Sequence, residues 1–167
     1  MRETLKRRGW LAALGAAAAG LWGSWILAWP LAAAAAGPEA RLTPAADLQA
    51  EARAAARSGF PLVLMFSRQD CPYCITVRRD YLAPLTRIPR FKQVLVRQID
   101  QDRDTPLRDF QGRPTTHAAF AASQGIRLVP VVSFHGPGGE AVAEAIVGAR
   151  LPDFYQSYLE NALTGQP

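Results

Sequence analysis

Cysteine, histidine and methionine are scarce in this 167-residue chain, with two of each. Two cysteines exclude a disulfide-dense secreted scaffold and, within one chain, a four-thiolate zinc site. His117 and His135 are the only histidines, and neither stands at ligand spacing from the cysteines, so no metal centre and no cofactor are expected. Tryptophan is missing beyond position 29, because Trp10, Trp22, Trp25 and Trp29 all fall in the first 36 residues. Charge is missing from Gly9 to Pro38, 30 consecutive positions. The chain is thus two unlike pieces joined end to end, and whole-chain averages describe neither.

The net charge of +5 and pI near 9.8 would ordinarily raise nucleic acid or an anionic membrane as partners. Arg2, Lys6, Arg7 and Arg8 against Glu3 place most of that excess in the leader, leaving 15 basic and 13 acidic residues for the rest. The remainder is nearly balanced, and no nucleic-acid partner is expected. A basic cluster, a long apolar stretch and the small-residue run Ala32 to Ala36 have the layout of a secretory signal, with Ala34-Ala35-Ala36 as the A-x-A site and cleavage after Ala36. The competing expectation is an uncleaved anchor. Trp10 to Trp29 is long enough to cross a bilayer, with tryptophans at both ends. Gly15, Gly20, Gly23 and Pro30 favour the cleaved signal. Either way the positive end stays cytoplasmic and the rest is exported, with the periplasm as the expected compartment. The expected organisation is a signal peptide or anchor helix over residues 1–36 and one domain over 37–167. Membrane contact is expected only if the leader is retained.

Past Gly37-Pro38 the pattern becomes short elements with clear punctuation. Thr43 is expected to cap a helix with Pro44 in its first turn, running over Ala45 to Arg57 and ended by Ser58-Gly59. Phe60 to Ser67 carries an unbroken apolar run, the mark of a strand covered on both faces. Cys71-Pro72-Tyr73-Cys74 opens the next helix, which Pro84 is expected to bend or end. Val94 to Ile99 reads as a strand and Asp100 to Pro114 as a polar loop. Thr115 is expected to cap a helix over Thr116 to Gln124, closed by Gly125. Ile126 to Phe134 reads as a strand punctuated by Pro130. A glycine-rich turn at Gly136 to Gly139 then leads to a hairpin partner over Ala141 to Val147. The last helix, Leu151 to Leu163, is expected to bury Phe154, Tyr158 and Leu159 on one face. Together these predict an α/β domain, one mixed sheet flanked by helices.

A C-x-x-C pair opening a helix straight after a buried strand carries the chemistry. Side chains at i and i+3 share a helix face, and the helix N-terminus favours a thiolate on the first sulfur. Cys71 is therefore expected to attack and Cys74, one turn deeper, to resolve the mixed disulfide. Competing readings are a structural disulfide and a metal site. The first would close too small a loop to stabilise much, and the second lacks ligands. Haem attachment needs histidine after the second cysteine, where Ile75 stands.

The segment Phe66-Ser67-Arg68-Gln69-Asp70-Cys71-Pro72-Tyr73-Cys74, with Val129-Pro130 before a strand, resembles the thioredoxin superfamily, in particular its exported members, over roughly residues 43–163. The resemblance implies a thioredoxin fold with a mixed sheet of about four strands. It implies Cys71 and Cys74 as the redox pair and Pro130 as a cis proline facing it. It also implies a substrate surface that includes Val129, Pro72 and Tyr73. The chain departs from thioredoxin at Asp70, where thioredoxin carries tryptophan, and at Met65, where thioredoxin buries an acid. Val131-Val132-Ser133-Phe134 does not resemble the glutathione-binding continuation of glutaredoxins, which points to protein substrates. Asp70 opposes a thiolate at Cys71, while Arg68, Arg78 and Arg79 offset it or form a solvated rim.

The leading expectation is an exported enzyme exchanging disulfides with protein cysteines, favoured as a reductase and served by a membrane or periplasmic redox partner. The alternative is a non-catalytic thioredoxin-fold binding module or membrane-tethered adaptor whose disulfide is structural or a latch. That alternative expects a pair that is buried or stays oxidised against dithiothreitol, and partner capture that survives loss of both cysteines.

Overall fold

The computed structural model describes residues 40–149 and 152–165, all in a compact unit that begins at Ala36. The expectations for the leader, and for Leu151, lie outside the described residues. Among the described residues no helix is long and apolar enough to cross a membrane.

The strand expected from the apolar run is β1, Leu62–Ser67, and every one of its residues is buried. Burial on both faces follows from its central place in a four-stranded sheet. β2, Val96–Asp100, runs parallel to β1, with Val63 opposite Val96 and Ser67 opposite Asp100. β5, Val131–His135, pairs antiparallel on its other side, with Phe66 opposite Val131. The two-residue β6, Ile146–Val147, pairs antiparallel with β5 and closes the sheet.

Side-chain alternation divides β1 between two cores. Leu62, Leu64 and Phe66 face α1, Leu48–Arg57, and α4, His117–Ser123. Val63 and Met65 face the helix that follows the cysteines and α5, Pro152–Thr164. This is the thioredoxin fold, a mixed four-stranded sheet between helices. The polar stretch 100–114 contains a small hairpin, β3, Pro106–Arg108, against β4, Pro114–Thr116. Burial works against the ionised Asp109 carboxylate in its turn. Hydrogen bonds from the Arg113 backbone and guanidinium and from the Gln111 N–H nevertheless hold that carboxyl below its ordinary range.

Several expected boundaries move, each for a tertiary reason. α1 is capped by Asp47, whose Oδ1 accepts the Ala50 N–H at 2.9 Å, rather than by Thr43. Thr43 to Ala45 instead lines the open edge of β2: Ala45 N–H donates to the Gln98 carbonyl at 2.9 Å, and Gln98 N–H to the Thr43 carbonyl at 3.0 Å. Thr116, not Thr115, caps α4: it is the last residue of the small hairpin, and its Oγ1 accepts the Ala119 N–H at 3.2 Å. Ile126 to Val129 is irregular rather than strand, and β5 starts only after the proline. Of the expected hairpin partner only Ile146 and Val147 pair as a strand, with a single further bridge between Ala141 and His135. α5 buries Tyr155, Leu159 and Leu163 at i, i+4 and i+8. Phe154 and Tyr158 face outward, because the helix is turned to stack Tyr155 on Tyr81, ring centroids 4.4 Å apart.

As expected, the helix is distorted just before Pro84 and ends one residue after it, at Leu85. α2, Pro72–Val77, widens into a π turn over Arg78–Leu82 and continues as α3, Ala83–Leu85. Pro84 has no N–H to give and its ring would crowd a carbonyl in the preceding turn; widening that turn relieves both demands. Ala83 N–H reaches back five residues to the Arg78 carbonyl.

Candidate redox site

β1 delivers the chain to the site through Arg68, Gln69 and Asp70. This bridge is tied to the segment after β2: Gln101 N–H donates to the Ser67 carbonyl at 2.9 Å, and Gln69 N–H to Asp102 Oδ2 at 3.0 Å. Arg103 Nη2 adds a bond to Gln69 Oε1 at 2.9 Å. Cys71 then takes the N-cap position of α2, with extended backbone and its Sγ accepting the Cys74 N–H at 3.1 Å. Pro72 occupies the first turn, where its missing N–H leaves no hydrogen bond unmade.

Cys71 and Cys74 are joined as a disulfide, with Cα atoms 5.2 Å apart. Cys74 is fully buried and Cys71 is 5% exposed. What Cys71 shows to solvent opens into a cleft of about 260 Å³ lined by Arg68, Asp70, Tyr73, Arg127, Leu128 and Val129 among others. The Val129 carbonyl oxygen lies 3.9 Å from Cys71 Sγ, and the Val129-Pro130 peptide that follows is cis. The residues singled out from the sequence, Cys71, Pro72, Tyr73, Cys74, Val129 and Pro130, are therefore brought to one place. Pro130 itself is buried.

Three wall residues were missed by the sequence reading, Gln101, Arg127 and Leu128. Their only signal was position, Gln101 directly after the second strand and the other two directly ahead of Val129-Pro130. Leu128 is 72% exposed and Tyr73 68%, so two large apolar side chains stand free at the mouth of the cleft. An apolar contact surface beside a sulfur is suited to another polypeptide.

The arginines near the pair separate into different roles. Arg68 lies on the exposed rim. Arg79, also exposed, is held by Asp80 with Nε to Oδ1 at 2.6 Å; that hydrogen bond raises the Arg79 pKa and lowers the Asp80 pKa. Arg78 is only 9% exposed and its Nη2 donates to Ser67 Oγ at 3.2 Å.

Neither histidine approaches the sulfurs through its hydrogen bonds. His117 is buried with Nδ1 accepting the Asp100 N–H at 3.0 Å, which leaves Nε2 to donate to the Ala45 carbonyl at 2.9 Å. His135 lies under the hairpin turn, bonded to the Gly139 carbonyl and to Ser133 Oγ. Burial pushes the His135 pKa below its ordinary value, against the opposing pull of the Gly139 carbonyl and of Glu140. Among the described residues no three His, Cys, Asp or Glu side chains are grouped to hold a metal ion.

A parallel-antiparallel sheet with a disulfide at the start of the helix after its central strand, facing a cis proline, defines a thioredoxin-type protein. The sequence matches the thioredoxin-like domain family over residues 48–163, and the chain belongs to that family. A thioredoxin-fold protein from Helicobacter pylori superposes with a TM-score of 0.51 at 15% identity, covering 62% of this chain and 69% of its own. Fasciola hepatica thioredoxin gives a TM-score of 0.49 at 19% identity, covering 75% of this chain and 100% of its own. Poplar thioredoxin h gives 0.48 at 18% identity, covering 70% and 94%. At 15% identity the likeness to the Helicobacter pylori protein is one of fold. No curated protein matches the chain by sequence. Family and site together support a thiol–disulfide oxidoreductase in general.

Proposed function

We propose that the protein is an exported thiol–disulfide oxidoreductase acting on protein cysteines, working as a reductase in the periplasm. The observation that carries the exchange chemistry is the access of the Cys71 sulfur to an open, partly apolar cleft while Cys74 stays sealed beneath it. In the reducing direction the Cys71 thiolate attacks one sulfur of a substrate disulfide. The substrate S–S bond breaks, its other sulfur leaves as a thiolate that takes a proton, and a mixed disulfide forms at Cys71. Cys74 then loses its proton and attacks Cys71 Sγ, releasing the second substrate thiolate and restoring the Cys71–Cys74 bond. A dithiol partner, in the membrane or the periplasm, returns the two electrons and protons. The basic, long apolar leader supports export.

The burial of Cys71 suits the adaptor reading; the cleft that reaches it does not. Insulin reduction with dithiothreitol as electron source separates the two. Turnover is expected from the wild type and is expected to vanish, to below about 1% by the loss of an essential nucleophile, in Cys71→Ser. Full activity in that variant contradicts the mechanism.

A further inference from the structure

The family fold leaves open what stabilises the thiolate once the disulfide is reduced. The carboxylate that thioredoxin buries is replaced here by Met65, fully buried and apolar. Asp70, the immediate neighbour of Cys71, carries charge of the wrong sign. What this chain buries instead is a cation.

Arg78 follows Cys74 by four residues and Cys71 by seven, so all three lie on the buried stripe of one helix. Long helical side chains point back toward the helix N-terminus. Arg78 does so here, because Nη2 reaches Ser67 Oγ, at the end of the strand that leads into the cysteine segment. Ser67 is fully buried and shares the face of β1 carried by Val63 and Met65, the face that packs on both cysteines. The hydrogen bond thus holds the buried guanidinium at Ser67, four residues ahead of Cys71. Among the described residues the other charged groups around the pair are Arg68 and Asp70 on the segment before it, Arg127 on the loop before β5, and Asp100, Asp102 and Arg103 at the end of β2 and beyond. Asp100 stands opposite Ser67 and accepts from Gln98 Nε2, while Asp102 and Arg103 are both bonded to Gln69. The packed cluster adds the rings of Tyr155 from α5 and Tyr81 from the π turn.

We propose that Arg78, anchored by Ser67, is the positioning residue that stabilises the thiolate of the reduced Cys71–Cys74 pair and makes the pair a milder reductant than it would otherwise be. The inference rests on the exchange chemistry proposed above. Reduction takes two electrons and one proton when it yields one thiolate and one thiol. A fixed cation lowers the energy of that product and does nothing for the neutral disulfide.

The test uses the full chain and its Arg78→Met, Arg78→Lys and Ser67→Ala variants. Thiolate absorbance gives the pKa of the attacking thiol, and equilibration against reduced and oxidised glutathione gives the redox constant. Arg78→Met is expected to raise that pKa by about one pH unit and to move the redox equilibrium about tenfold, or about 30 mV, toward the disulfide. Arg78→Lys is expected to recover most of both values, which a purely structural role would not require. Ser67→Ala, which keeps the charge and releases the tether, is expected to move both quantities in the same direction by less. If Arg78→Met folds and both quantities stay within twofold of the wild type, the proposal is wrong. If Arg78→Met does not fold, unchanged values in Ser67→Ala overturn it. A wild-type disulfide that glutathione cannot reduce would overturn the exchange reading itself, together with this inference.

Discussion

The two cysteines are identical residues made different by three positions of helix. Cys71 caps α2 and touches the cleft; Cys74 has its N–H on the Cys71 sulfur and no solvent. The attack and resolution proposed for them rest on that asymmetry, and it was legible in the sequence because C-x-x-C, Pro72 and the preceding apolar run are all local signals. Arg78 was not legible as a buried group. A charged residue in a run of Arg78, Arg79 and Asp80 reads as surface, and only the packing of α2 against β1 turns the first of them inward. Tyr155 is a second case. It is buried to 1% exposure, and its hydroxyl has no hydrogen-bond partner among the described residues. Burial raises its pKa, so the hydroxyl stays neutral. An unsatisfied buried hydroxyl costs about 1–3 kcal/mol, so Tyr155→Phe is expected to be neutral or to stabilise by up to about 1 kcal/mol in urea unfolding. A loss of more than about 1 kcal/mol would show that the hydroxyl has a partner.

Elements followed the sequence where they depend on themselves and departed from it where they depend on neighbours. β1 was readable because burial on both faces leaves an unbroken apolar run. The start of α1 was misplaced because Thr43 and Pro44 serve the edge of β2, which no local pattern announces. β6 was overextended because apolar residues after a glycine-rich turn resemble a strand, whereas the turn itself sets the geometry. Gly139 adopts φ of +91°, and a Cβ there would meet the Phe110 ring at 2.4 Å. Its carbonyl holds His135, which lies against the same ring with centroids 4.9 Å apart. The folded hairpin therefore favours neutral His135, and its pKa is lowered by burial. The unfolded chain binds that proton at about pH 6.5 while the folded one does not, so stability is held above that pH and lost as pH falls below it. Urea midpoints are expected to fall between pH 7.5 and 5.5, and His135→Gln is expected to flatten that slope. An equal slope in both proteins would assign the effect to other groups.

At the scale of the molecule, most of the charge that suggested nucleic acid lies in residues 1–36, and the rest of the chain contains a thioredoxin-like domain whose redox cleft is lined by Arg68, Arg127 and Asp70 among others. The account stands on Cys71 meeting protein substrates in its cleft and Cys74 ending each encounter. Trapping in cells tests this most directly, with Cys74→Ser, Cys71→Ser and the double variant compared on non-reducing gels. Cys74→Ser is expected to accumulate covalent complexes that dithiothreitol dissolves, and the other two are expected to form none. Absence of complexes in Cys74→Ser, or equal amounts in Cys71→Ser, would contradict the account.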